Sequence, residues 1–139
     1  MPSRDVSNAC ERLRMHIGAA MDAYEEANPG LHLKPVEVER TRDEQIADYA
    51  KGRTAPGKIV TNCDGTIKLS HHQRQVMHGE AAVHAIDFGV FDANGNYVTE
   101  QGPYEAIGEA FADSGLIWGG SWRSFRDRPH VQCLPEGES

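Results

Sequence analysis

The stretch SHHQRQVMHGEAAVHAIDF, Ser70 to Phe88, is dense in side chains that bind metal ions: His71, His72, His78, His84 and Asp87. Its end runs into a strand predicted over Val83–Phe91. A period of two puts Val83, Ala85, Asp87, Gly89 and Phe91 on one face and His84, Ile86, Phe88 and Val90 on the other. The second set is the more apolar and packs in a core, so Asp87 faces a cleft. His84 then lies on the core side, away from Asp87. Zinc takes neutral imidazole nitrogen and carboxylate oxygen in a tetrahedral shell, and a catalytic site leaves one position open for water. A second group of such side chains lies in WGGSWRSFRDRPHVQ, Trp118 to Gln132, where Asp127 and His130 stand three residues apart. The chain reads as a scaffold that brings these two stretches together.

The totals fit one domain over residues 1–139, long enough for a core of its own. A net charge of -7 argues against a nucleic-acid partner, which calls for a basic face. No apolar run approaches the ~18 residues that span a bilayer, so membrane insertion is not expected. The N-terminal MPSRDVSNACERLR has no apolar core of a secretory signal. Cys10, Cys63 and Cys133 are widely spaced, without a C-x-x-C pair. An odd number of cysteines without a signal predicts reduced thiols and synthesis in the cytoplasm.

Outward from the central stretch, residues 5–27 predict a helix. Val6, Cys10, Leu13, Ile17, Met21 and Tyr24 form its apolar stripe, and Asn28-Pro29-Gly30 stops it. Leu31–Val38 alternates like a strand, placed at an edge by Pro35. A helix follows, with Thr41 or Asp43 as its cap. Gly52–Thr61 reads as a loop ending in a short strand, and Asp64-Gly65 as a turn. Asn94-Gly95 marks a hairpin-type turn. Gly102–Asp113 predicts a helix stopped by Gly115, and Leu116–Trp118 a short strand. Gly119-Gly120 permits a tight turn, Trp122 and Phe125 can line a groove, and His130–Gln132 is a last strand. The tail LPEGES is polar and expected to be loose.

Four motifs in order carry a resemblance: Ser70-x-His72, Ala85-x-Asp87, Trp118-Gly119-Gly120-x-Trp122 and Asp127-x-x-His130. A fifth, Arg40-Thr41-x-x-x-Gln45, stands ahead of them, with Glu39 where an aromatic is usual. The ordered set, from about Val38 to Gln132, resembles a family of zinc peptidases. It comprises D-alanyl-D-alanine carboxypeptidases of the VanY kind and L-alanyl-D-glutamate endopeptidases found as phage endolysins. The family's gap between histidine and aspartate is commonly short; here an insert carrying His78 and His84 separates His72 from Asp87. His71, His78 and His84 therefore remain alternatives to His72 as first ligand.

The resemblance implies an α+β domain of the hedgehog type. A small antiparallel sheet would have helices packed on one side and a zinc cleft on the other. It implies Zn2+ held by His72, Asp87 and His130, with Asp127 as general base. The plain alternative for Asp127 is a surface carboxylate paired to Arg126 or Arg128. Substrate contacts fall to Arg40, Thr41, Gln45, Ser70 and Trp122. A guanidinium is a fixed, charged fork suited to a carboxylate, whereas the plain reading of Arg40 is a solvated charge at a helix start. The implied partner is the peptidoglycan stem peptide, met by a monomer acting on the bacterial cell wall in a host or phage setting. Three activities compete: an L-alanyl-D-glutamate endopeptidase of the endolysin type, a D-alanyl-D-alanine carboxypeptidase, and a non-catalytic wall-peptide or zinc-binding domain. The absence of a visible signal favours the first.

Overall fold

The computed structural model describes residues 2–99, 102–124 and 126–134. A 3-10 turn at Val6–Asn8 precedes helix α1 (Glu11–Ala27) and strand β1 (His32–Glu37). Helix α2 (Arg42–Ala50) and a long loop lead to strands β2 (Gln75–Met77), β3 (Glu80–Ala82) and β4 (Ala85–Phe91). Then come β5 (Tyr97–Val98), helix α3 (Glu105–Ala110), β6 (Ile117–Trp118) and β7 (His130–Gln132). The main sheet has the order β1-β4-β7-β6, with β5 paired to β4, and all its pairings are antiparallel. This is the expected α+β class.

The apolar face of β4 makes the core. Ile86, Phe88 and Val90 are buried with Leu33 and Val131 from the neighbouring strands, Leu13 and Tyr24 from α1, and Ile107 and Phe111 from the α3 region. The buried tyrosine tips are satisfied. Tyr24 Oη donates to Pro103 O at 2.8 Å, and Tyr104 Oη donates to Val98 O at 2.9 Å while accepting from Val90 N at 3.1 Å. Burying a hydroxyl without such a partner would cost stability.

Several elements depart from the expected bounds. The first helix starts at Glu11 because Ala9 pairs with Val83 in an isolated bridge and Cys10 N donates to Val83 O at 2.8 Å. That pairing holds the backbone extended where the apolar stripe alone allows helix. The helix expected over Gly102–Asp113 keeps only Glu105–Ala110; turns follow, with Asp113 and Gly115 at positive φ. Ile59–Thr61 forms no strand and lies as loop along the cleft. The insert between His72 and Asp87 is a β2–β3 hairpin. Its tip, His78-Gly79, has φ of 52° and 76°, the left-handed pair of a tight hairpin turn. Thr41, not Asp43, caps α2: its side chain accepts from Glu44 N while the Glu44 carboxylate accepts from Thr41 N. Phe125 and most of the LPEGES tail lie outside the described residues. No helix among the described residues is long and apolar enough to cross a membrane.

Candidate metal centre and its cleft

Register builds the centre. Asp87 on β4 stands opposite His130 on β7, and on its other side opposite Glu37 on β1, after a bulge between Pro35 and Glu37. Residues directly opposite in an antiparallel pair point to the same face. Glu37, Asp87 and His130 therefore form a row across the sheet, on the face away from the core. His72 reaches the row from the loop before the insert hairpin; Arg40 N, donating to His72 O at 2.8 Å, helps hold that loop.

The ring atoms are set by hydrogen bonds on their far sides. His72 Nδ1 lies 2.9 Å from Val38 O, a carbonyl that can only accept, so Nδ1 carries the proton and Nε2 is bare. His130 Nε2 donates to Gln132 Oε1 at 2.7 Å, which leaves Nδ1 bare. These two nitrogens are 3.3 Å apart and lie 3.2 and 2.9 Å from Asp87 Oδ1. Three lone-pair donors thus meet at one point, which is repulsive unless a proton or a metal cation lies between them. Burial opposes charge on Asp87, but the imidazoles of His72 and His130 outweigh it and hold the carboxyl well below its ordinary range. Burial likewise disfavours charge on His130, and the Asp87 carboxylate outweighs it, raising the imidazole. Two imidazoles and one carboxylate, with ligand atoms within 4.8 Å of one another, fit a divalent metal of the zinc type.

The centre opens into a cleft of about 600 Å³. Asp127 stands on its rim, half-exposed, with Oδ2 3.8 Å from His130 Nδ1. Its backbone N donates to Gly119 O at 3.0 Å and its carbonyl accepts from His130 N at 3.2 Å. A Cβ at Gly119 would run into the Asp127 carbonyl, and one at Gly120 into the Trp118 ring, so both glycines are required by close approach. Arg126 and Arg128 both pair with Glu105. The Trp122 ring lies 5.2 Å from the His130 ring and walls one side.

Arg40 also lines the cleft, but its guanidinium is engaged. It pairs with Glu37, lies 3.3 Å from Asp48 Oδ2 and donates to Gln45 Oε1 at 2.5 Å. Gln45 is fully buried, donating to Cys63 O at 2.8 Å and Thr61 Oγ1 at 3.2 Å. The structure thus places Gln45 behind Arg40, and Thr41 at the cap of α2, instead of on the cleft wall where substrate contacts were expected. Ser70 is nearly buried in the wall, its Oγ accepting from His72 N at 3.1 Å. Glu37, Asp48 and Gln132 went unremarked in the sequence. Gln132 was accessible to the period-two rule, since it shares a strand face with His130.

The other histidines separate cleanly. His84 faces the opposite side of the sheet, as its parity requires, and His78 sits at the hairpin tip, bonded to Leu134 O at 2.9 Å. His71 lines the cleft with its Nε2 buried and unbonded. Burial first, then the neighbouring imidazoles of His130, His84 and His72, push its pKa down to about 4.

Fold and centre together define the class of metallopeptidases with a small α+β domain. Residues 65–133 match the D-alanyl-D-alanine carboxypeptidase family, in line with the motifs. The chain is similar to the peptidoglycan L-alanyl-D-glutamate endopeptidase CwlK of Bacillus subtilis, 29% identical over 118 residues. That alignment covers 78% of this chain and 65% of the relative, so the chain spans about two thirds of that protein's length. In fold it is similar to the Serratia marcescens L-Ala D-Glu endopeptidase ChiX (TM-score 0.54, 20% identity, 96% of this chain and 89% of that one). It is also similar to the L,D-carboxypeptidase DacB of Streptococcus pneumoniae (TM-score 0.50, 19% identity, 96% of this chain and 71% of that one).

Proposed function

We propose that this chain is a zinc peptidase that hydrolyses the L-alanyl-D-glutamate bond of the peptidoglycan stem. The observation that carries the proposal is the meeting of His72 Nε2, His130 Nδ1 and Asp87 Oδ1 at the floor of an open cleft, with the Asp127 carboxylate beside them. His72, Asp87 and His130 would hold the metal. When bound, zinc supplies Lewis acidity, polarising a carbonyl and lowering the pKa of water to about 7. Asp127 takes the proton of the attacking water and returns it to the leaving amine, work that requires hydrogen-bond reach to the reacting atoms. Gln132 and Val38 O keep the two rings in the tautomers that present a bare nitrogen. Trp122 and Ser70 shape the walls, and Arg40 anchors a substrate carboxylate from a position fixed by Glu37, Asp48 and Gln45. The chain acts as a monomer on the cell wall, in a phage lysis setting or a host one.

The D-alanyl-D-alanine carboxypeptidase reading is favoured by one feature, the Arg40 guanidinium in the cleft wall, a partner for a terminal carboxylate. The Asp127→Asn variant separates catalysis from mere binding. The expected protein keeps its metal and its affinity for wall fragments and loses hydrolysis. A fully active variant would place the base elsewhere in the cleft, with Glu37 next to be tested.

A further inference from the structure

On the other face of the sheet, Cys10, His84 and Cys133 come together, all buried, with ligand atoms within 4.8 Å of one another. Nothing in the proposed hydrolysis uses them. We propose that they form a second metal site, for a thiophilic ion such as zinc, that ties the start of α1 to β4 and the end of β7.

The backbone fixes all three positions. Cys10 N donates to Val83 O at 2.8 Å, next to the bridge between Ala9 and Val83, and Cys133 N donates to His84 O at 3.0 Å. The two sulfurs are 3.0 Å apart. Tetrahedral zinc with its usual bonds to sulfur holds two thiolates roughly 3.8 Å apart, so each sulfur needs to move by only a few tenths of an ångström. His84 supplies the second observation. Its Nε2 donates to Gln75 O at 3.0 Å, which fixes the tautomer and leaves Nδ1 bare. Nδ1 is buried without a hydrogen-bond partner, on a residue only 1% exposed. A buried acceptor left unpaired is costly, and a metal bond satisfies it. Two sulfurs and one imidazole are a soft set, unlike the nitrogen and oxygen donors of the cleft centre. The remaining coordination position faces a cavity of about 170 Å³ that Met77, His78 and Glu80 also line, with room for water. Binding releases the two thiol protons to solvent, so occupancy falls as the pH is lowered.

Cobalt(II) tests this, because sulfur ligation gives a thiolate-to-cobalt charge-transfer absorption in the near ultraviolet that the cleft centre, with no sulfur, cannot produce. Chelator-treated, reduced full-length protein is titrated anaerobically with cobalt(II). The wild type is expected to bind two ions per chain and to show the band. His130→Ala should keep the band with one ion, and Cys63→Ser should keep both. Cys133→Ala and His84→Asn should lose or weaken the band while the cleft ion stays. Should those buried variants fail to fold, the wild type, His130→Ala and Cys63→Ser still decide. One ion per chain without the band overturns the proposal, as does a band that depends on Cys63. A Cys10–Cys133 disulfide in protein purified without oxidant overturns it equally, since the sulfurs would then serve a covalent bond.

Discussion

At the centre of the site each histidine has one nitrogen committed and one free, and the free ones share an oxygen of Asp87. Removing any of the three leaves two donors, a weaker chelate with too few protein ligands for a zinc site. His72→Ala, Asp87→Ala and His130→Ala are each expected to lose the cleft metal, read by elemental analysis of protein equilibrated with zinc; unchanged content in all three would refute the ligand set. Gln132→Ala leaves the donors in place and releases the His130 ring. Loss of such an outer partner typically weakens metal affinity by about 10–100-fold, measurable by competition with a chromophoric chelator. The three residues that meet here were legible as types and in order. That His72 joins Asp87 and His130, and its neighbours do not, was not legible, because its placement depends on a bond from Nδ1 to Val38 O across 34 residues of sequence. Arg40 shows the same limit. Its charge and place were legible, but not the acidic pair Glu37 and Asp48 that holds it.

Short elements were the hardest to read. The hairpin of β2 and β3 has strands of three residues each, too few for a period to show, and its turn uses His78 at positive φ, a conformation rare outside glycine. The capping box of α2 was half visible, since Thr41 and Glu44 have its spacing. Thr41→Ala is expected to cost about 1 kcal/mol of stability, read as a lower midpoint in denaturant. Because α2 carries Gln45 and Asp48 behind Arg40, the same change should loosen that guanidinium. The turn at Gly119 has a steeper dependence. Gly119→Ala sets a methyl group against the Asp127 carbonyl and the Cβ of His130, so activity should fall by an order of magnitude or more while the core persists. Rates equal to wild type would show that the turn can yield without moving Asp127.

The sheet divides the molecule into an apolar face under α1 and α3 and a polar face that carries the cleft. This division was legible from one strand, because the parity of Ala85–Phe91 sends Phe88 inward and Asp87 outward. The meeting of Cys10 with Cys133 was not, since 123 residues separate them and only the closing of the chain on β4 joins them. Phe88 is buried against Phe111 at the middle of the core, with ring centroids 5.3 Å apart. Phe88→Ala should cost about 3–5 kcal/mol, a large part of the ~5–15 kcal/mol that holds a domain together. Thermal denaturation would show it as a large fall in midpoint, and a shift of only a degree or two would mean that the core collapses to fill the space. The central claim is tested most directly by digesting purified peptidoglycan with the intact chain, with and without a chelator, and reading the new chain ends by mass spectrometry. The account predicts new D-glutamate amino termini that vanish with the chelator. Released D-alanine in their place, or no cleavage by protein shown to carry its cleft metal, would contradict it.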